Sequence, residues 1–270
     1  MIFRLYQAKN FVIFAIIPNF ATNMNRFTII LTMLAVFCHS KLFSQEYRYQ
    51  KGSLRLPYVE QVYNPQTNGE SMLVVYLHPR QSRGHLNETQ QTVPAFKALS
   101  HYLDSISTKA ILLAPQCEES RHWNEYSAPI GKYLSDVVKD FIDDYISTHK
   151  IDKSRVFLLG ESFGGSGVWR LVTDYPHFFA AAMPAVCSPK LDHLHRFVSL
   201  KKAAKTPLCV VIGENDQVYG PEVMKPYIEE LQSRKCDLKY IILPGKTHYQ
   251  SCNSPFPDEA LDWLFSHTLQ

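Results

Sequence analysis

The stretch VFLLGESFGGSGVW, Val156–Trp169, decides the fold. It opens with four apolar residues, Val156–Leu159, and passes through Gly160-Glu161-Ser162-Phe163-Gly164-Gly165. It then runs into a segment, Gly164–Tyr175, whose composition suits a helix. GxSxG between a strand and a helix is the context in which a serine is lifted on a sharp turn above the end of a sheet. Such a turn strains the serine backbone and crowds the residues two positions to either side, so Gly160 and Gly164 have to be glycine.

Outward from this turn, short apolar runs alternate with longer amphipathic segments. The runs are Met72–Leu77, Ala110–Ala114, Ala180–Val186, Leu208–Ile212 and Tyr240–Leu243, together with Val156–Leu159 itself. Unbroken apolar runs of this length, bounded by Gly, Pro and His, predict strands buried on both faces of a parallel sheet. Helices are predicted over Pro94–Ser107, Ile130–His149, Gly164–Tyr175, Pro221–Arg234 and Asp258–Thr268. In the second of these, Leu134, Val137, Val138, Phe141, Ile142 and Tyr145 fall on one helical face. Residues Gln45–Ser71 are expected to supply antiparallel edge strands. The fold class is therefore α/β, a doubly wound, mostly parallel sheet with helices on both faces, in one domain over residues 45–270.

In open α/β sheets, function gathers at the carboxyl ends of the strands. Beyond Leu208–Ile212 comes Gly213-Glu214-Asn215-Asp216, and Asp216 sits where a carboxylate can face an imidazole; Glu214, nearer the strand end, is the competitor. Beyond Tyr240–Leu243 comes Pro244-Gly245-Lys246-Thr247-His248, a loop able to bring His248 over the sheet towards Ser162. The chain order Ser, Asp, His is the order that goes with this strand–turn–helix. A serine hydroxyl becomes a nucleophile when a base takes its proton, and imidazole titrates near neutrality. A carboxylate on the far ring nitrogen fixes the tautomer. Two backbone N–H donors are then needed for an oxyanion: Phe163, and one from the loop His78–Gly84 after Met72–Leu77.

Composition bounds the reading further. The chain has 270 residues, 46% hydrophobic and 20% charged, which excludes collagen-like, low-complexity and disordered classes. Its net charge of +3 belongs to residues 1–44, which hold Arg4, Lys9, Arg26 and Lys41 and no acid. The remainder carries 24 basic and 25 acidic residues, a net −1, and gives no support for nucleic-acid binding. Phe27–Cys38 is an apolar run of 12 residues, suited to an export signal and short of the ~20 that cross a bilayer. The reading is a leader over 1–44, either an unusually long one or one whose translation starts at Met24, with cleavage near Ser44 and no stable membrane span in the mature protein. A retained membrane anchor is the rival. Five cysteines follow the leader, Cys117, Cys187, Cys209, Cys236 and Cys252, an odd number without CxxC or zinc spacing. Cys209, within an apolar run, reads as a buried small hydrophobe.

These residues resemble the α/β-hydrolase superfamily. More closely, they are similar to secreted feruloyl-esterase and polyhydroxyalkanoate-depolymerase-like esterases and to prolyl-oligopeptidase-like peptidases. The resemblance spans roughly Leu73 to Phe265. It is carried by YLH at Tyr76–His78, LAPQC at Leu113–Cys117, Trp123, the stretch quoted above, YP at Tyr175–Pro176 and FAAAMPAVC at Phe179–Cys187. GENDQV at Gly213–Val218 and LPGKTH at Leu243–His248 complete it. It implies Ser162, Asp216 and His248 as a catalytic triad and, from the position after the first loop glycine, Arg80 as the second oxyanion donor. The chain departs from the usual His-Gly-x-Gly: Pro79 and Gln81 replace the glycines. With export, the resemblance implies hydrolysis of carboxylic esters, small-molecule or polysaccharide, of the acetyl or feruloyl kind found on plant polysaccharide. A peptidase with the same triad, an exported acyltransferase and a non-catalytic binding protein are the alternatives.

Other residues carry weaker signals. Arg80 and Arg83 read as loop charges or as a site for an acidic group of the substrate. Trp123, with His122 and Tyr126, reads as an aromatic wall for a sugar or phenolic ring, or as packing. Ser188, Asp192, His193 and His195 follow a strand and read as a cleft wall. No metal or organic cofactor is assigned, because serine acyl transfer needs neither.

Overall fold

The structure is a computed structural model, and it describes residues 45–51, 54–84, 91–118, 120–128, 131–189 and 198–269. The expected leader, with its start at Met24 and cleavage near Ser44, lies outside the described residues, as do Asp192, His193 and His195. No described helix is long and apolar enough to cross a membrane.

Among the described residues, eight strands form one sheet. In chain order they are β1 (Gln45–Lys51), β2 (Leu54–Tyr63), β3 (Ser71–Leu77), β4 (Ala110–Pro115), β7 (Ile151–Glu161), β8 (Ala181–Ala185), β9 (Leu208–Gly213) and β10 (Leu238–Leu243); β5 (Tyr126–Ser127) and β6 (Lys132–Tyr133) form a separate small hairpin. The spatial order is β1-β2-β4-β3-β7-β8-β9-β10. β1 pairs antiparallel with β2, and β2 antiparallel with β4. Every other neighbouring pair in the large sheet is parallel. The expected antiparallel edge and parallel body are both present.

Among the described residues, seven α-helices connect and cover the strands: α1 (Pro94–Ser105), α2 (Leu134–Thr148), α3 (Phe163–Asp174), α4 (Leu200–Ala203), α5 (Pro221–Ser233), α6 (His248–Asn253) and α7 (Asp258–Phe265). The two-residue period of β3 divides the core. Leu73, Val75 and Leu77 pack with residues of α2, α3, α4 and α5 on one face. Met72, Val74 and Tyr76 pack with α1 and α7 on the other. All seven residues of β3 are buried, which is why its sequence is apolar without alternation.

The helix expected from Ile130 begins at Leu134, because the residues just before it are held in the β5–β6 hairpin, where Gly131 adopts φ +69°. The strand expected to reach Val186 ends at Ala185; Val186 adopts φ 52°, its N–H still donating to the Val211 carbonyl of β9 at 2.6 Å. The last helix stops at Phe265, short of Thr268.

Candidate active site

β7 ends at Glu161, Ser162 makes the turn, and α3 starts at Phe163. Ser162 adopts φ 51°, ψ −115°, a left-handed conformation that costs a residue with a Cβ about 1–3 kcal/mol. The turn is possible because its flanks have no side chains. A Cβ on Gly164 would lie 1.8 Å from the Leu77 carbonyl oxygen, and one on Gly160 would lie 2.7 Å from the Gly164 carbonyl. The Ser162 N–H donates to the Ala185 carbonyl at 2.9 Å, which ties the turn to β8.

The three residues expected to act together are within hydrogen-bond reach. Ser162 Oγ lies 3.1 Å from His248 Nε2, and His248 Nδ1 lies 2.8 Å from Asp216 Oδ2. Asp216 Oδ1 accepts the N–H groups of Val218 at 2.8 Å and Tyr219 at 2.9 Å, so both of its oxygens are engaged. Burial alone would raise the Asp216 carboxyl. The bond from His248 and the two backbone bonds outweigh that and hold it below its ordinary value. With Asp216 ionised, the proton on His248 belongs on Nδ1, which leaves Nε2 free to accept from Ser162.

His248 is not in a loop: it is the first residue of α6. Thr247 caps that helix, its N–H donating to Gln250 Oε1 at 3.0 Å while its hydroxyl accepts the Gln250 N–H, a reciprocal box. The Asp216 and His248 segments meet because Gly213 has no Cβ, which would lie 2.3 Å from Ser251 Oγ and 2.4 Å from the Lys246 carbonyl oxygen. The competitor Glu214 is turned away, its Oε2 accepting the Gly245 N–H at 2.7 Å.

Two residues near this chain were not anticipated from the sequence. Cys252 Sγ is 3.8 Å from His248 Nε2, one turn along α6, and burial pushes its thiol up to about 12. The spacing His248–Cys252 is the available signal, useful only once the segment is known to be helical. Glu161, fully buried, accepts a hydrogen bond from the Tyr76 hydroxyl at 2.8 Å, and its Oε2 has no hydrogen-bond partner among the described residues. Burial pushes the Glu161 carboxyl from 4.5 up to about 8, so it is neutral through most of the physiological range. Its charged or titratable neighbours are Tyr76 from β3 and Cys252 from α6, both uncharged at neutral pH.

A raised folded-state pKa means that the native protein binds the extra proton between pH 4.5 and about 8. The Glu161 contribution to stability is therefore complete below pH 4.5 and is lost as pH rises through that window. Denaturant unfolding at pH 5 to 8 should show the wild type losing up to about 1.4 kcal/mol per pH unit relative to Glu161→Gln. Parallel curves for the two proteins would remove Glu161 as the cause.

Phe163 is the first residue of α3, and Arg80 the first of a single 3-10 turn, Arg80–Ser82. Neither backbone N–H is taken by a protein acceptor among the described residues. The loop is anchored by His78, which is fully buried and whose Nε2 accepts the Cys117 N–H at 2.9 Å. That bond requires the ring proton on Nδ1, which lies 2.8 Å from the Pro79 carbonyl oxygen. Burial lowers the His78 pKa to about 4, so the ring is neutral. Pro79 itself lies at φ −73°, ψ 172°, extended backbone that its ring favours.

Trp123 takes the packing alternative. It is 1% exposed, its Nε1–H donates to the His78 carbonyl at 3.2 Å, and its ring meets the His78 ring edge-on at 5.1 Å. Packing decides its place, because a cleft wall needs an exposed face. Tyr126 is exposed but pairs with Tyr133 in the hairpin, and His122 lies 5.1 Å from the Phe163 ring. Arg80 is exposed, while the Arg83 guanidinium is spent on backbone carbonyls. Ser188 is buried. The five cysteines of residues 45–270 are all free, and Cys209 is buried within β9.

No protein-family model and no curated protein matches this sequence. Solved structures do match. A thermostable esterase superposes with a TM-score of 0.66 at 21% identity, covering 83% of this chain, which spans 63% of that protein's length. An S-formylglutathione hydrolase from Staphylococcus aureus gives 0.66 at 14% identity, over 83% of this chain and 98% of that one. A feruloyl esterase module from Clostridium thermocellum, complexed with sinapinate, gives 0.58 at 13% identity, over 83% and 88%. The chain has the α/β-hydrolase fold.

Proposed function

We propose that this chain is an exported serine hydrolase that cleaves carboxylic esters through an acyl-enzyme. The observation that carries the reading is the hydrogen-bonded chain Ser162–His248–Asp216 on a strained strand–helix turn. In this reading Ser162 Oγ attacks the ester carbonyl as His248 Nε2 takes its proton. Asp216 holds the imidazolium through Nδ1–H. The carbonyl oxygen, now negative, accepts the N–H groups of Phe163 and Arg80. His248 returns the proton to the departing alcohol, and water activated by the same imidazole releases the acid.

The fold neighbours include an esterase and a feruloyl esterase module, which favours esters over other acyl compounds. Acetyl or feruloyl esters of plant polysaccharide are the proposed natural class, supported by the same likeness and by the leader composition. A fluorophosphonate probe should label the wild type at Ser162. A panel of aryl acetates, methyl ferulate, acetylated xylan and a dipeptide anilide then separates the chemistries. Turnover of the anilide with no ester turned over would make it a peptidase, and intact protein that never labels would favour a binding module.

The proline in the oxyanion loop gives a separate test. Pro79 has no N–H, yet the proposed donor is Arg80, whose N–H is taken by no protein acceptor among the described residues. Pro79→Gly should change ester turnover by less than about tenfold, whereas restoring a missing donor would raise it by about 10² to 10³. A gain of that larger size would show that Pro79 misplaces the loop.

A further inference from the structure

We infer that Arg83 is a positioning residue for the oxyanion hole, binding together the two segments that carry its donors, rather than a site for an acidic group of the substrate. The inference rests on the hydrolase reading above. The Arg83 Nε–H donates to the Arg80 carbonyl at 3.2 Å, and its Nη1–H donates to the Arg121 carbonyl at 3.1 Å. Its guanidinium carbon lies 5.4 Å from the centroid of the Phe163 ring, within cation–π range. One side chain therefore touches the residue proposed as first donor, the residue proposed as second donor, and a third segment behind them.

The backbone reinforces the arrangement. The Arg83 N–H donates to the same Arg80 carbonyl at 3.2 Å, and the next N–H, of Gly84, donates to the Cys117 carbonyl at 3.1 Å. Arg80 itself is exposed. Other side chains also hold this loop, Gln116 Nε2–H donating to the Ser82 carbonyl at 2.8 Å and His78 anchoring its start, but the Arg83 side chain reaches both the Arg80 carbonyl and the Phe163 ring. Arginine suits the task because its donors are planar and fixed, so two carbonyls set the guanidinium plane and that plane seats on the ring. Among the described residues Arg83 pairs with no carboxylate, so its charge is left to favour a negative oxygen close by. An oxyanion donor must hold its place to within a few tenths of an ångström, and a loop that wanders loses transition-state binding before it loses substrate binding.

The experiment compares wild type, Arg83→Gln and Arg83→Lys on a neutral ester, p-nitrophenyl acetate, and on an anionic ester of the same acyl group. Binding of an aryl trifluoromethyl ketone, whose serine adduct carries an oxyanion, is measured alongside. Arg83→Gln should lower kcat on the neutral ester by about tenfold to a hundredfold, less than removal of a donor outright, with KM within about twofold. Ketone affinity should fall by the same factor. Arg83→Lys, with a charge but no fork, should fall between, and it serves as the test if the Gln variant does not fold. A rise in KM confined to the anionic ester, with kcat and ketone affinity unchanged, would make Arg83 a substrate-binding residue and overturn the inference. So would two variants indistinguishable from wild type. A wild type that neither labels with fluorophosphonate nor turns over any ester would instead remove the hydrolase reading, and this inference with it.

Discussion

Ser162→Ala should lower ester turnover by about four to six orders of magnitude while the protein stays folded. Alanine keeps the Cβ, so the strain at φ 51° is retained and the carbonyl and N–H bonds of the turn are untouched. What disappears is the oxygen 3.1 Å from His248 Nε2, the proposed nucleophile. Cys252 offers no substitute. Its sulfur is near the same imidazole nitrogen, but with a pKa of about 12 it is a neutral thiol at the pH of the assay, and it is 4% exposed. The measurement is kcat/KM on an aryl acetate for both proteins, with fluorophosphonate labelling as a second readout. A variant that keeps more than about one part in a thousand of wild-type turnover would move the nucleophile elsewhere.

Asp216→Asn should cost about 10⁴ in kcat, for a different reason. Asparagine can keep Oδ1 on the N–H groups of Val218 and Tyr219, so the loop after β9 holds its shape. Its amide then points an N–H at His248 Nδ1, which must become an acceptor. The ring proton moves to Nε2, where it faces Ser162 instead of receiving from it. The loss should therefore appear in kcat rather than KM, and it should ease at high pH if hydroxide can replace the base. An Asn variant with turnover near wild type would leave Asp216 as a structural cap of its own turn. Glu214 would not become the new partner, since its carboxylate is held by the Gly245 N–H on the far side.

The buried carboxyl at Glu161 and the strained turn beside it belong to one design. Both store unfavourable free energy at the end of β7: the turn is confined by the close approach of Leu77, Gly160 and Gly164, and the carboxyl is fully buried against Tyr76. The cost is met by the apolar layers on each side of the sheet, where a fully buried leucine, valine or phenylalanine contributes about 1.5–3 kcal/mol.

What the sequence by itself determined was whatever depends on neighbours along the chain. Apolar runs without alternation announced the parallel strands, because a strand covered on both faces has no solvent side to mark. The spacing of Gly160, Ser162 and Gly164 announced the turn, because glycines at two-residue distance from a serine are a local steric requirement. Asp216 and His248 were legible because each follows directly on a strand end. The tertiary structure alone decided the rest. Trp123 went to the interior because His78, 45 residues earlier, offers it a carbonyl and a ring. Arg83 became a bracket because Arg121, 38 residues later, and Phe163 arrive beside it. Glu161 finds Tyr76 across 85 residues, through two strands paired in register. The histidine segment reads as a loop until the Thr247 cap and the contact of Ser251 against Gly213 make it a helix. A lone arginine, tryptophan or glutamate has no period and no motif; its partner is chosen by how the sheet stacks its strand ends, and that is a property of the folded chain.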